Sequence, residues 1–104
     1  MALDQRPTPA ARVLRYWLTL TLLSAGRPMT LRELTEALDG AGRLPPGRPS
    51  KVVSDALRWE ARRGRVWRMQ RGVYAPGFIP RSTRWWMRDQ IRLGETSCEQ
   101  AEDV

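Results

Sequence analysis

Apolar residues recur at helical spacing in the first quarter of the chain. Val13, Leu14, Trp17, Leu18, Thr21 and Leu22 fall on one stripe, which predicts a helix from about Ala10 to Ala25. Gly26 and Pro28 punctuate its end, and the two prolines of residues 1–9 make that segment a loose arm. Thr30-Leu31-Arg32-Glu33 then reads as a capping box, in which the hydroxyl and the carboxylate each accept from the other residue's backbone N–H. The helix it opens runs to about Leu38, burying Leu31, Leu34 and Leu38, with Asp39-Gly40 as its close. Residues 40–49, GAGRLPPGRP, carry too many glycines and prolines for regular structure and predict a loop.

Ser50 is the expected N-cap of a third helix, and Gly64 its C-terminal stop. Between them Val52, Val53, Ala56, Leu57 and Ala61 gather on one side of the helical wheel. Lys51, Ser54, Asp55, Arg58 and Arg62 gather on the other, giving an amphipathic helix with a mostly basic outer face. After Gly64 the period changes. RVWRMQ at 65–70 and VYAP at 73–76 favour β-structure, and Arg71-Gly72 between them predicts a hairpin with a glycine-dependent turn. Ile79-Pro80-Arg81-Ser82 leads into a last helix from about Thr83 to Leu93. On its wheel Trp86, Met87, Gln90, Ile91 and Leu93 share a side, opposite a ladder of Arg84, Arg88 and Arg92. The polar, acidic residues 94–104 lack periodicity and are expected to be a disordered tail.

Length and charge sharpen this outline. One hundred and four residues amount to one domain, here residues 10–93 between the arm and the tail. The chain has 18 Lys+Arg against 11 Asp+Glu, a net charge of +7. Residues 1–42 hold five arginines and four acids, residues 43–92 hold 13 basic residues and three acids, and residues 93–104 hold four acids and no base. The positive charge is therefore localised in the middle, which is the electrostatic footprint of a polyanion binder. All but one of the basic residues are arginine, a bias that electrostatics does not explain and that a GC-rich genome would produce in any protein.

Several chemistries drop out. With no histidine and a single cysteine, Cys98, the sequence holds no histidine-based triad, no histidine-ligated metal site, no zinc ribbon and no internal disulfide. Cys98 has no cationic neighbour in the tail to activate it. No glycine-rich phosphate loop precedes a helix. The run from Tyr16 to Leu23 is far shorter than the roughly 20 residues that span a bilayer, and MALDQRPTPA has no apolar signal core. The expectation is a basic cytoplasmic protein that is not an enzyme, with no cofactor, metal or membrane partner.

The order of elements suits duplex DNA. A helix fits the major groove, and a hairpin beside it can lay arginines along phosphates or into the minor groove. Here the chain resembles the winged helix-turn-helix family over about residues 10–77. The segment LRWEARRGRVWRMQRGVYAPG at 57–77 is similar to the DNA-binding N-terminal domain of abortive-infection-type antitoxins, through Arg63, Gly64, Arg71, Gly72, Val73 and Tyr74. In that group a second domain opposes a toxin, for which 104 residues leave no room, and the loop at 40–49 is longer than a tight helix-turn-helix connection. The implied fold is α+β, mainly α: a three-helix core with a β-hairpin wing and an extra C-terminal helix.

The resemblance implies a sequence-specific double-stranded DNA-binding protein, a bacterial transcriptional regulator associated with the nucleoid. Helix 50–64 would enter the major groove and hairpin 65–76 would be the wing. The alternative is a protein- or RNA-interaction winged-helix module, such as an antitoxin-like or phage-defence accessory factor. Candidate DNA contacts are Arg48, Ser50, Lys51, Ser54, Asp55, Arg58, Arg62, Arg65, Arg68 and Arg71, with Arg81, Arg84 and Arg88 as candidate phosphate contacts. Arg58 and Lys51 are also placed to form ion pairs with Asp55, and Arg62 and Arg63 to complement the helix dipole. Trp17 is expected in the core. Trp59 and Trp67 border the basic surfaces, where they either stack on sugars and bases or, the preferred reading, pack between the third helix and the hairpin. Trp85, Trp86, Met87 and Ile91 are the candidate interface of a homodimer.

Overall fold

The computed structural model describes the backbone of residues 9–103 and the side chains of residues 10–93. Four helices and a three-stranded antiparallel sheet make an α+β architecture that is mainly helical. The first helix, α1 (Pro9–Ala25), starts on a proline, which the first turn tolerates because its missing N–H would have no intrahelical partner. At its other end Gly26 adopts φ +65° and donates its N–H to the Leu22 carbonyl at 3.0 Å.

Two residues then do something the sequence pattern did not announce. Met29–Thr30 is a short strand, β1, and Thr30 is at once its last residue and the N-cap of α2 (Leu31–Gly40). The expected capping box is present: the Glu33 N–H donates to Thr30 Oγ1 at 3.0 Å, and the Thr30 N–H donates to Glu33 Oε1 at 2.8 Å. Those hydrogen bonds, with Arg27 Nη2 3.3 Å from the carboxylate, hold the Glu33 carboxyl below its ordinary value of 4.5, the Thr30 backbone N–H being the largest cause. At the C-terminal end the stop is Gly42 rather than Asp39-Gly40. Gly40 is still helical, Gly42 takes φ +70°, and Arg43 and Gly42 donate back to the Leu38 and Asp39 carbonyls. This is a Schellman closure, and it needs the glycine one step beyond the last helical turn.

Helix α3 (Pro49–Arg62) begins two residues earlier than a Ser50 cap would place it. Arg48 is the N-cap, without a side-chain hydrogen bond, and Pro49 occupies the first helical position, where its fixed φ favours the helix. Ser50 therefore sits inside the first turn. Its C-terminus closes as expected on Gly64, at φ +75°, with Gly64 N–H to Ala61 O at 3.0 Å and Arg65 N–H to Glu60 O at 3.2 Å.

The hairpin follows at once as β2 (Val66–Gln70) and β3 (Val73–Pro76), turning through Gly72 at φ +75°. In the sheet, β3 is central and β1 and β2 are the edges. Met29 pairs with Tyr74 and Thr30 with Val73, while the Leu31 N–H donates to the Gly72 carbonyl at 2.8 Å. The hairpin is thus stitched to the start of α2. Its base is closed by Gly77, whose N–H donates to the Arg65 carbonyl at 2.9 Å. A Cβ on Gly77 would stand 2.4 Å from the Gly64 carbonyl oxygen, so only glycine fits there.

The core lies where α1, α2, α3 and the sheet meet. Leu18, Leu22, Leu34, Leu38, Val53 and Leu57 are fully buried, joined by Met29, Ala56, Val66 and Tyr74, with Leu14, Trp17 and Leu31 packed against them. α4 (Arg81–Asp103) packs chiefly on α1, where the rings of Tyr16 and Trp86 meet edge to face at 5.3 Å. The helix outruns the expected 83–93 and continues through the stretch expected to be a tail. Beyond Gly94 that stretch has no glycine or proline to break a helix and carries three glutamates, a glutamine and an alanine, all good helix formers. The expected arm, residues 1–9, lies outside the described residues except for Pro9, which is helical. Among the described residues no helix is long and apolar enough to cross a membrane.

Candidate nucleic-acid interface

Burying one face of α3 fixes what the other face shows. Val53, Ala56 and Leu57 anchor the helix in the core, so Lys51, Asp55, Arg58 and Arg62 emerge in a row on the outside. The expected ion pairs are present: Lys51 Nζ lies 3.1 Å from Asp55 Oδ2, and Arg58 Nη1 lies 3.7 Å from Asp55 Oδ1. Both are exposed, where such pairs contribute only about 0.3–0.5 kcal/mol, so they orient the side chains loosely and yield readily to a partner. Arg48 and Ser50 are exposed at the N-terminal end of this face, and Ser54 is half-buried at its edge. Arg68 and Arg71 are exposed on the hairpin, and β2 packs beside α3.

Arg65 does not join them. Its guanidinium turns inward to Glu60, with Nη1 3.3 and 3.4 Å from the two carboxylate oxygens. Glu60 is fully buried and also receives Arg15 Nε at 3.3 Å and the Thr19 hydroxyl at 2.8 Å. One carboxylate therefore ties α1, α3 and the root of the hairpin together. A buried charge is tolerable only when it is paired and hydrogen-bonded, and this one has three partners. The cluster ties α1 and α3 to the root of the hairpin, and the Arg65 guanidinium is engaged there.

The tryptophans divide. Trp17 packs against the core as expected. Trp59 is half-buried with the guanidinium of Arg15 at 4.9 Å and that of Arg63 at 5.1 Å from its ring centre, so its π surface is already engaged. Trp67 was expected to pack between α3 and the hairpin. It does not: it is 57% exposed, because Val66 alone of β2 reaches the core.

On α4 the facing differs from the wheel reading. The buried arc centres on Met87, flanked by the half-buried Thr83, Arg84, Gln90 and Ile91. Met87 is thus part of the interior and is unavailable to a second copy. Trp86 is 44% exposed but uses its ring against Tyr16, and Leu93 points out. Trp85, at 71% exposure, is the outward residue of the four. Arg84 is drawn into the flank with a buried Nε that has no hydrogen-bond partner among the described residues, which separates it from the exposed Arg81 and Arg88. α4 itself packs chiefly on α1.

Arg15, Thr19 and Glu60 were missed by sequence reasoning, although Glu60 left a signal. It stands four residues past Ala56 and three past Leu57, on the apolar stripe itself. A charge at such a position demands a buried partner. Comparison of the chain with protein families, curated proteins and solved structures returns no match.

Proposed function

We propose that this chain is a sequence-specific double-stranded DNA-binding protein that acts as a transcriptional regulator. In this reading the domain is a winged helix: α3 enters the major groove and the β2–β3 hairpin is the wing. The observation that supports it best is the row of Lys51, Asp55, Arg58 and Arg62 on a core-anchored helix, beside a hairpin exposing Arg68 and Arg71. A helix of about 10–12 Å diameter fills a major groove about 12 Å wide. There arginine can donate to guanine, and a released Asp55 can accept from cytosine. The wing arginines would follow phosphates and supply affinity without sequence preference.

A single small domain covers a short site, so pairing of two copies on a palindrome is part of the proposal. Trp85, exposed near the N-terminal end of α4, is the residue proposed to mediate it. The test is selection of random duplexes by the purified chain, followed by titration at several salt concentrations. Enrichment of a sequence motif, with log Kd rising by about 0.9 per neutralised phosphate against log salt, is expected. Retention of no duplex at low salt would end the reading. Sedimentation on the selected duplex reads the stoichiometry, and Trp85→Ala is expected to favour one copy per site.

A further inference from the structure

β2 lies at the sheet edge, and after Val66 all four of its residues are exposed. Two of them are large and apolar: Trp67 and Met69 are each 57% exposed. Trp67 stands opposite Ala75 and Arg68 opposite Tyr74. Since directly opposed residues share a sheet face, Arg68 is on the side that carries Tyr74 into the core, and Trp67 is on the reverse. The register slips between Arg68 and Gln70, leaving Met69 as the extra residue of a bulge. A bulge interrupts regular pairing and re-aims its side chain. Two such exposed side chains stand two residues apart on one short edge strand, which is more apolar surface than the single residues scattered over ordinary surfaces.

The charge around these two side chains selects what covers them. Between Glu60 and Asp89 the chain has eight arginines and no acidic residue. Arg71 is exposed at the hairpin turn, Arg68 is exposed on the other sheet face of the same strand as Trp67, and Arg62 and Arg63 are exposed at the end of the neighbouring helix. A second copy meeting this strand with its own would bring like charge against like. A nucleic acid supplies both things the surface lacks, anionic phosphates for the arginines and flat π faces for the indole. In a duplex those faces are hidden in the stack. Apolar wedges reach them by prying a step open from the minor groove, most easily at a flexible pyrimidine–purine step.

We infer that Trp67, with Met69 beside it, is a wedge that partly unstacks one base step of the DNA held by α3 and kinks the duplex. This rests on the DNA-binding reading above and adds to it a deformation of the DNA. The test uses a duplex retained by the full chain, labelled at its ends with a donor–acceptor dye pair and carrying 2-aminopurine at successive pyrimidine–purine steps. The unaltered chain is expected to shorten the end-to-end distance and to raise 2-aminopurine emission at one step. Trp67→Ala is expected to lose both signals and to bind about tenfold more weakly. Its salt dependence should be unchanged, because no charge is removed. Trp67→Phe should keep part of the bend, which decides the matter if the alanine variant does not fold. A saturated duplex that stays straight and stacked overturns the wedge and leaves DNA binding standing. Failure of the unaltered chain to bind any duplex ends both.

Discussion

Arg65 and Arg68 are three residues apart on the same arm of the hairpin and have opposite fates. Arg65 turns under the fold and shares the Glu60 carboxylate with Arg15 and Thr19, whereas Arg68 stands in solvent. What separates them is access to an anion. Glu60 is the buried acid of the described core, and the arginines within its reach become structural. Those beyond its reach, Arg58, Arg62, Arg68 and Arg71, leave the protein's positive charge available to a partner. In an arginine-rich chain, composition alone cannot say which arginines are structural, but the position of a buried carboxylate can.

The sharpest break in this contrast is Glu60→Ala. It leaves Arg15 and Arg65 around a vacated site, and a loss of about 3–5 kcal/mol is expected in urea unfolding. Gly77→Ala comes next. Its Cβ would collide with the Gly64 carbonyl oxygen, and forcing the backbone apart should cost about 1–3 kcal/mol and loosen the hairpin root. On the exposed side, Arg58→Ala should leave stability within about 0.5 kcal/mol. It should weaken binding to the selected duplex by about 1–3 kcal/mol and that to random duplex by less. Equal losses on both duplexes would mean that α3 reads no bases. Arg71→Ala and Arg65→Ala form a matched pair. The former should reduce the salt slope by about one without moving the melting temperature, and the latter should lower the melting temperature first.

The smallest effect concerns Glu33. Its carboxyl is held below 4.5 in the folded chain, so its contribution is present above that value and is lost as pH falls through the folded-state pKa. Stability of Glu33→Gln and of the unaltered chain should therefore converge in acid and separate near neutrality.

Much of the fold was legible because its signals are local. The stripes of α1, α2 and α3, the Thr30–Glu33 box and the Arg71-Gly72 turn each lie within a few neighbouring residues. What escaped depends on distant partners. β1 is two residues long and exists because Met29 finds Tyr74. The Glu60 cluster spans |i−j| of 45 to Arg15. The exposure of Trp67 follows from how far the hairpin extends past the core, which no window of sequence states. Of the candidate site, the outer α3 face and the exposed hairpin arginines Arg68 and Arg71 were read from the pattern. Arg65 was assigned to the hairpin surface and Met87 to a dimer interface, because no local pattern records the Glu60 carboxylate or the α1 surface that take them up.

Thr30 carries one more consequence. A single residue caps α2 with its side chain and pairs with Val73 through its backbone, and Leu31 extends the tie by donating to Gly72. The tip of the hairpin therefore cannot lift away while the first turn of α2 stays intact. In hydrogen exchange the amides of Leu31 and Glu33 should open together as one cooperative unit, slower than the free edge of β2. Thr30→Ala should release both at once.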